Sequence, residues 1–463
     1  MSAENNTPEQ SPTKRKNNST SSGNQREKKH IKIAESIKET DQLSCECSAN
    51  KSIYFKIIHS KEEFEDFHKL NLDKSFNPLY TNQIFPNENI SGYKGLKILI
   101  SLTPKYLYPH IKIVYDKELK YHDNLDKLLQ DLFKESYCKD DTAFLSRLEE
   151  EKKIKTPKGQ LIYSDNKRSV YIIDILKDNF LSENWNFQTL CKFFIDGASF
   201  IYIQENFWNY FHTVEVNDCN WKTLGFCSYK NFHMALDKYS TMLSQFLIVP
   251  AYHRSGHGTF MLAQAYSYLE KQKECVEITT EDPCMDFILM RDFTIAKMMI
   301  DSNKLDEVLK KGLKEKNEIE SKEMYEEFSL SKEEMKKIAK DFKLQKNLIQ
   351  RAFEILKFAL CSNKMIEVFA IDKKKELKEM SKSEYDINAM FNNRKGPFIY
   401  FSDEPEYNFQ EIIEEDRKNM NLEMTLEQKV EMLYINYERD VQKVAPKCGK
   451  YILDYKNNKL LNI

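Results

Sequence analysis

Residues 245–258, QFLIVPAYHRSGHG, form an apolar run that leads into a turn with two glycines. They are followed directly by residues 259–269, TFMLAQAYSYL, which contain neither Pro nor Gly. This order predicts a strand, a turn and a helix. The first backbone N–H groups of a helix have no intrahelical acceptor, and the helix dipole adds partial positive charge there. The segment therefore predicts an anion site that can take a pyrophosphate without a basic side chain.

Two common phosphate-binding patterns do not fit this turn. A Walker loop needs a Lys after its last glycine, and a Rossmann fingerprint needs three glycines where only Gly256 and Gly258 are present. The turn instead resembles the acetyl-CoA turn of the GCN5-related N-acetyltransferases, [QR]xxGx[GA], with His253 where Gln or Arg is usual. We expect both glycines to let phosphates approach the backbone. The resemblance implies acetyl-CoA contacts at Leu247, Ile248, Val249, His253, Arg254, Ser255, Gly256, His257, Gly258, Thr259, Phe287 and Arg291.

Three further segments narrow the resemblance to the type B histone acetyltransferases. Residues 278–293, ITTEDPCMDFILMRDF, are similar to that family's Ile-Thr-x-Glu-Asp-Pro and Leu-Arg-Asp-Phe signature. Residues 76–99, FNPLYTNQIFPNENISGYKGLKIL, resemble its N-terminal domain, and residues 194–201, FIDGASFI, with Trp208 resemble its central segment. Together these matches span roughly residues 50–300 in the family's order.

The resemblance assigns Glu281 as general base, assisted by Asp282 and Asp196. A substrate lysine with a pKa of about 10.4 arrives as an ammonium, so a carboxylate must remove a proton before the amine can attack. Direct attack in a ternary complex then needs no cysteine nucleophile. Spacing alone favours a solvated turn that ends a strand for Glu281 and Asp282, and the surrounding family resemblance reverses this preference. The family has Glu in place of Asp196.

The resemblance also implies a substrate groove. Trp208 would line the lysine channel, although a Trp in strand-rich sequence is often a core residue, and Glu205 and Tyr229 would contact substrate. Arg291 could instead pair with Asp292 or Asp286. A groove for Lys-rich histone tails should be acidic. The family tends to carry an acid where this chain has Leu79, which leaves the preferred lysine open.

Composition limits the classes of function. Lys and Arg total 70 and Asp and Glu total 72, for a net charge of -2, which excludes a uniformly basic coat for nucleic acid. No apolar run approaches the roughly 18 residues of a membrane span, so we expect a soluble intracellular protein without membrane contact. The 10 cysteines include no CxxC and no zinc-finger pairing with His. We expect free thiols and no metal, with the lone Cys45–Cys47 pair as the alternative.

The chain divides into four predicted parts. They are a disordered polar and basic tail (1–45), a mixed α/β domain (46–185), the acetyl-CoA domain (186–300) and a helical C-terminal module (301–463). Ser331 with Glu334 predicts a capping box, and residues 349–360 carry one apolar stripe at helical spacing. The predicted fold class is α/β (α+β), a GCN5-related N-acetyltransferase fold with a mixed N-terminal domain and a helical C-terminal module.

The predicted function is acetyl transfer from acetyl-CoA to tail lysines of newly synthesised free histone H4. The resemblance implies histone H4 with histone H3 and a WD40-repeat histone chaperone as partners, and residence in nucleus and cytoplasm. Basic clusters at 14–16 and 26–32 suit an import signal, and an acidic stretch at 403–416 could meet a basic partner or be a solvated face. An acetyltransferase for another protein or a small amine and a non-catalytic histone-binding scaffold are the rival hypotheses.

Overall fold

A computed structural model describes six segments of the chain. They are residues 45–201, 208–217, 220–234, 237–314, 316–380 and 426–460. The predicted tail up to residue 44 and the acidic stretch at 403–416 lie outside the described residues. None of the helices in these segments is long and apolar enough to cross a membrane.

The N-terminal part is built around a three-stranded sheet. The strands of the N-terminal part are β1 (Glu46–Ser48), β2 (Ile53–Ile57), β3 (Asn89–Ser91), β4 (Tyr93–Lys94), β5 (Lys97–Leu102), β6 (Pro109–Val114) and β7 (Lys117–Glu118). Its helices are α1 (Ala49–Ser52), α2 (Lys61–His68), α3 (Leu125–Phe133) and α4 (Asp141–Lys153). The sheet has the order β2-β5-β6, with β2 and β5 parallel and β5 and β6 antiparallel. Each of these three strands carries β-branched or aromatic residues, as is usual for strands.

Successive residues of β5 face opposite sides of this small sheet, as strand geometry requires. Leu99 packs with Phe64 and Phe67 of α2 and with Phe144 and Leu148 of α4, in a small apolar cluster that also includes Ile58. Ile98 and Ile100 belong instead to a larger core on the other face. The N-terminal part therefore has a separate small core on the side of α2 and α4.

A six-stranded sheet forms the centre of the molecule. Its strands are β8 (Gln160–Ser164), β9 (Arg168–Asp174), β10 (Trp208–Asn217), β11 (Asn220–His233), β12 (Tyr239–Ile248) and β13 (Cys275–Thr280). The order is β13-β12-β11-β10-β9-β8, antiparallel throughout except for the parallel pair β12 and β13. Because β8 and β9 pair into this sheet, it extends across the domain boundary that the sequence places between residues 185 and 186.

Helices cover both faces of the central sheet. Helix α5 (Leu181–Phe194) packs on one face in the core that also holds Ile98 and Ile100. Helices α6 (His257–Lys271) and α7 (Met285–Asp301) share a second core with the other face. Side chains on both faces of the central sheet are therefore buried under helices.

The C-terminal part is helical, as predicted. Its helices are α8 (Asp306–Leu313), α9 (Lys322–Glu327), α10 (Lys332–Phe342), α11 (Lys346–Leu360), α12 (Asn363–Met380) and α13 (Leu426–Leu460). The capping box of Ser331 and Glu334 is confirmed at the start of α10, and the predicted stripe is buried along α11. Helices α7, α11 and α13 pack against one another. Within this contact the buried Arg351 guanidinium donates to Asp292 over 2.6 Å, which ties α11 to α7.

Candidate active site

The parallel strands β12 and β13 lie at one edge of the sheet and separate halfway along β12. Their pairing runs from Tyr239–Cys275 to Leu243–Thr280, and the Glu281 N–H donates to the Leu243 carbonyl over 2.8 Å. Strand β12 then continues to Ile248 without a partner on that side among the described residues. Strand backbone groups at such an edge can hydrogen-bond an extended ligand. The separation therefore opens a cleft along residues 244–248.

A β-bulge lies where the two strands part. The pairs Cys227–Phe246 and Tyr229–Leu243 set a step of two residues on β11 against three on β12, so the extra residue lies at 244–245. The Gln245 N–H donates to Ser228 Oγ over 3.0 Å instead of to a strand carbonyl. A bulge redirects the side chains that it contains. It sends Gln245 Nε2 to the Ser199 carbonyl, 2.6 Å away, and places Ser244 beside Glu281.

The two adjacent carboxylates occupy the turn that follows β13. Glu281 is exposed, and the Ser244 hydroxyl donates to its Oε2. Asp282 is also exposed and has a φ of 28°, a left-handed conformation in which the chain turns away from β12 toward α7. Non-glycine residues rarely adopt this conformation, and such residues often lie at functional sites. The turn presents both predicted acids to solvent at the mouth of the cleft.

Asp196 approaches the same region from the other side. It is exposed and lies just beyond the last residue of α5, and its segment is tied to β12 by the Gln245–Ser199 hydrogen bond. The backbone N–H of Tyr80 donates to the Phe193 carbonyl over 3.0 Å, which places Tyr80 at the same helix end. Burial raises the pKa of the Tyr80 phenol, and the neighbouring Asp196, Cys284 and Asp286 groups raise it further. The structure thus brings Asp196 and the start of α7 together around Tyr80.

Tyr80 belongs to the segment 76–99 that resembles the family's N-terminal domain, but the resemblance assigned it no role. The signal that could have found it is the position of a Tyr next to Leu79 in the same motif, since Leu79 was already connected with the peptide groove. Leu79 is 60% exposed, and its N–H also donates to the Phe193 carbonyl. Both residues therefore lie at the edge of the acidic region.

The predicted phosphate turn has the expected backbone form. Arg254 and Gly256 have φ values of 61° and 77°, and residues 253–256 are exposed. Gly256 is the N-cap of α6 and provides no side-chain cap, and the Phe260 N–H donates to its carbonyl over 3.1 Å. The N–H groups of residues 257–259 precede that bond, as at any helix N-terminus. A Cβ at Gly256 would meet nothing within 4 Å, so the space above the turn is open to an anion.

Gly258 has a packing role that the sequence did not predict. A Cβ there would lie 2.5 Å from Met290 Sδ and 3.6 Å from Ile248 Cγ1. Real Cβ atoms do not approach so closely, so this glycine permits α6 to pack on α7 and β12. Gly258 therefore has a packing role beside Met290, and the approach of phosphates to the backbone at Gly256 and Gly258 stays a prediction.

The histidines of the turn have distinct environments. His253 Nε2 lies 2.7 Å from the Ile248 carbonyl, a hydrogen bond in which the ring must donate, and the Ser255 hydroxyl donates to the His253 carbonyl over 3.4 Å. Burial lowers the pKa of His257, and the positive charges of Arg168 and Lys222 lower it further. The ring is therefore neutral at pH 7, and its buried Nδ1 has no hydrogen-bond partner among the described residues. Sequence reasoning missed Arg168 and Lys222, which add positive charge near the turn.

The apolar residues predicted to contact acetyl-CoA line the floor of the cleft. Leu247 and Val249 are buried, Ile248 and Thr259 are half-buried, and the Phe287 ring packs edge-on against Phe246 at 5.2 Å. Leu247 and Val249 can reach a ligand only through their backbone atoms. Arg291 is 2% exposed, which contradicts its predicted position as a surface contact for the adenine and ribose end. An Arg of α7 at this depth is surrounded by core side chains.

The predicted substrate residues separate into three cases. Trp208 is half-buried at the start of β10, and Lys230 Nζ lies 5.6 Å from its ring centroid. Tyr229 is 5% exposed, stacks on Phe211 at 4.5 Å and belongs to the core under α6. Burial raises the pKa of its phenol. Its predicted substrate contact is therefore wrong, because its side chain packs between sheet and helix. Glu205 lies outside the described residues.

Comparisons with known protein families agree with this arrangement. The family model described as "Histone acetyl transferase HAT1 N-terminus" matches residues 45–196, and the model described as "MOZ/SAS family" matches residues 156–388, half of the chain. The chain belongs to the MOZ/SAS family. Family membership confirms the predicted α/β acetyltransferase fold and the predicted class of enzyme, a histone acetyltransferase. It implies acetyl-CoA as acetyl donor and histones as substrates.

Several curated relatives are named histone acetyltransferase type B catalytic subunit. The human protein is 27% identical over 333 residues, which are 67% of this chain and 74% of the relative. The rat protein is 28% identical over 276 residues, 55% of this chain and 64% of the relative. A Dictyostelium discoideum protein is 26% identical over 270 residues, 54% of this chain and 57% of the relative. The resemblance to type B histone acetyltransferases that the motifs indicated is confirmed.

The residues at the turn fit the pyrophosphate of acetyl-CoA. The open space above Gly256 and the N-terminus of α6 favour an anion there, and Arg168 and Lys222, paired with Asp165 and Glu215, lie nearby. The exposed edge of β12 at residues 244–248 leads from this turn to Glu281. An extended donor that lay along this edge would have its phosphates at the turn and its thioester near the carboxylates.

Proposed function

We propose that this histone acetyltransferase transfers acetyl from acetyl-CoA to the ε-amine of tail lysines on free histone H4. The reaction is direct attack in a ternary complex with Glu281 as general base. The observation that carries the proposal is the Glu281 carboxylate, which the Ser244 hydroxyl holds at the point where β12 and β13 separate. This is the one place where a ligand on the β12 edge and an incoming lysine would meet.

The chemistry requires removal of a proton from the lysine ammonium. Glu281 accepts it, and the lysine nitrogen then attacks the thioester carbonyl; a new C–N bond forms, the C–S bond breaks, and the CoA thiolate leaves and takes up a proton. The charges of Asp282 and Asp196 draw the ammonium toward the cleft. The Ser244 hydrogen bond fixes the orientation of the Glu281 carboxylate before the substrate arrives.

The choice of a histone tail rests on charge and on the N-terminal part. Asp196 and Asp286 lie near Tyr80, and Asp282 is exposed in the turn after Glu281, so a Lys- and Arg-rich peptide is attracted there. Residues 76–81 reach this mouth from the N-terminal domain, through the two hydrogen bonds to the Phe193 carbonyl. Acetyltransferases for small amines lack such a domain, which favours a protein substrate.

The test is acetyl transfer from labelled acetyl-CoA to a free H4 tail peptide, with the modified lysine located by mass spectrometry. We expect transfer by the native protein and a sharp loss in Glu281→Gln, whereas Glu274→Gln, an exposed acid just before the same strand, stays active. If the protein binds acetyl-CoA but modifies no peptide, the proposal that the H4 tail is its substrate is overturned. Failure to bind acetyl-CoA would support the scaffold hypothesis.

A covalent route through Cys284 is tested in the same assay. This cysteine is exposed and lies three residues after Glu281, so it is the nearest thiol in sequence to the predicted base. Cys284→Ser should keep its activity, because direct attack needs no enzyme nucleophile. Loss of activity with an acetyl group trapped on the native Cys284 would contradict direct attack.

The partners and the location follow from the same proposal. Free H4 is bound with histone H3, and a WD40-repeat histone chaperone would present it, so the full chain should co-purify with such a protein from cell extract. Residence in nucleus and cytoplasm would rest on the basic clusters at 14–16 and 26–32. Replacing the lysines and arginines of both clusters should move the protein to the cytoplasm, and an unchanged distribution would contradict the signal.

A further inference from the structure

Three side chains from separate elements of the N-terminal part point toward one another. His68 is the last residue of α2, His110 lies in β6, and Asp141 is the first residue of α4. Each offers one ligand atom, and these atoms all lie within 4.8 Å of one another. Asp141 Oδ1 is 2.9 Å from His110 Nε2 and 3.9 Å from His68 Nδ1. Among the described residues, this is the one group of three or more His, Cys, Asp or Glu side chains with such spacing.

Burial makes the cluster unlike an ordinary surface ion pair. The His110 side chain is 1% exposed, and neither of its ring nitrogens has a well-aligned hydrogen bond among the described residues. Its Nε2 is close to Asp141, but the N–H direction misses the carboxylate. A buried polar atom without a partner costs about 1–3 kcal/mol. The imidazole of His110 is aimed into the cluster, where the Asp141 carboxylate and the Lys139 backbone are its polar neighbours.

The neighbouring side chains hold the two rings in place. Phe64 packs on His68 with ring centroids 3.9 Å apart and on His110 at 5.1 Å, and the two imidazoles lie 4.9 Å apart. Ser101 Oγ is 3.4 Å from His68 Nε2, which leaves His68 Nδ1 toward the cluster. Lys112 is a cation beside the two rings, and its ammonium donates to the His68 backbone carbonyl over 3.3 Å.

The separations suit a small transition-metal ion. Zinc binds His nitrogen and Asp oxygen at about 2.0–2.2 Å with tetrahedral geometry, which puts ligand atoms roughly 3.4 Å apart. The observed 2.9 Å and 3.9 Å lie on either side of that value, so small side-chain rotations would complete the site. Two imidazoles and one carboxylate favour Zn²⁺ over the oxygen-seeking Ca²⁺ and Mg²⁺. Asp141 is 63% exposed, so water can reach the fourth position.

We propose that His68, His110 and Asp141 bind one Zn²⁺ ion, with water as fourth ligand. The ion cross-links α2, β6 and α4 next to the small core of Phe64, Phe67, Leu99, Phe144 and Leu148. This core lies on the face of the small sheet opposite α5, so the site is separate from the acetyl-transfer cleft. Its role is structural, because it joins three elements that meet around this small core.

The experiment uses the full chain, stripped with EDTA and desalted. After addition of excess Zn²⁺ and a second desalting step, elemental analysis should find one zinc per chain, and calorimetric titration should give one site. The melting temperature should rise with zinc concentration, because the ion binds only the folded form. Co²⁺ in place of Zn²⁺ should give the absorption bands of a four-coordinate N/O site.

The deciding variant is Asp141→Asn. Its side chain is exposed, so the fold is retained, which circular dichroism checks, and zinc affinity should fall at least about tenfold. His68→Gln and His110→Gln should abolish stoichiometric binding. His59→Gln, an exposed histidine just before α2, should bind zinc as the native protein does. Unchanged zinc affinity in Asp141→Asn, or no stoichiometric binding by the native chain, would overturn the proposal.

Discussion

The two ends of the cleft along β12 differ in which part of the chain supplies the function. At the turn end, residues 254–259 offer backbone N–H groups, and Gly256 contributes a conformation but no side chain. At the carboxylate end, Glu281 and Ser244 act through side-chain oxygens. A site made of backbone groups tolerates most side-chain changes but depends on one φ angle. A site made of side chains can lose its reactivity when a single atom is replaced. Mutations at the two ends should therefore change different kinetic constants.

The largest effect is expected at the carboxylate end. Glu281→Gln keeps the shape of the side chain but removes the proton acceptor, so kcat should fall by about 10²–10³, in the range usual for general bases. The dissociation constant of acetyl-CoA should change less than twofold. Steady-state kinetics with the H4 peptide and calorimetry with acetyl-CoA give both numbers. A variant that loses acetyl-CoA affinity instead would break the proposed separation of the two ends.

The turn end should respond in the opposite way to Gly256→Ala. An alanine at a φ of 77° is strained by about 1–3 kcal/mol, so the turn shifts and acetyl-CoA should bind roughly tenfold more weakly. The kcat at saturating acetyl-CoA should stay within about twofold. Gly258→Ala is the contrasting variant: its Cβ meets Met290, so it should lower the melting temperature. Native acetyl-CoA affinity in Gly256→Ala would show that the backbone conformation does not hold the phosphates.

Ser244→Ala tests how far catalysis depends on the orientation of the Glu281 carboxylate. Loss of one hydrogen bond to Glu281 is worth about 0.5–1.5 kcal/mol, so kcat should fall about fivefold while the KM for acetyl-CoA is unchanged. Ser240→Ala on the same strand serves as the matched control, since its hydroxyl contacts the Glu277 carbonyl. Equal kinetics of the two variants would mean that Glu281 needs no support from β12.

His253→Gln should have a smaller effect at the turn end. The Gln amide can donate the same hydrogen bond to the Ile248 carbonyl, and the N–H groups that face the anion belong to the backbone. We expect acetyl-CoA affinity to change by less than about threefold, because only one neutral hydrogen bond is exchanged. A tenfold change, measured by calorimetry, would show that the His253 ring itself contacts the ligand.

Leu79→Glu tests the binding of the histone H4 tail and should have the smallest effect. A new exposed carboxylate beside Tyr80 adds a surface charge pair with a basic tail, worth about 0.2–1 kcal/mol. The KM for the H4 peptide should fall about twofold to threefold, and high salt should remove the gain. Leu161→Glu, at a similarly exposed leucine on β8, should leave the KM unchanged.

Sequence predicted the parts of the site that are local in the chain. The strand, turn and helix at 239–271 and the Glu281–Asp282 turn follow from short patterns, because each depends on neighbouring residues. The roles of Gly258 and Tyr229 could not be predicted, since Met290 and Phe211 reach them from other elements. The bulge at 244–245 also depends on pairing with β11.

The proposed zinc ligands were even harder to predict from the sequence. Spacing rules search for ligands a few residues apart, but His68, His110 and Asp141 are far apart in sequence and meet only through tertiary packing. The sequence therefore indicated no metal.

The contact of α13 with α7 and α11 has a consequence for biosynthesis. Tyr451 of α13 donates to Asp301 over 2.5 Å, and Tyr437 is fully buried against Glu354 of α11. Residues 426–460 are synthesised more than 120 residues after the end of α7. Until then, the faces of α7 and α11 that pack on α13 lack that contact. Helix α7, which follows the Glu281–Asp282 turn, thus reaches its final packing only after α13 has been made.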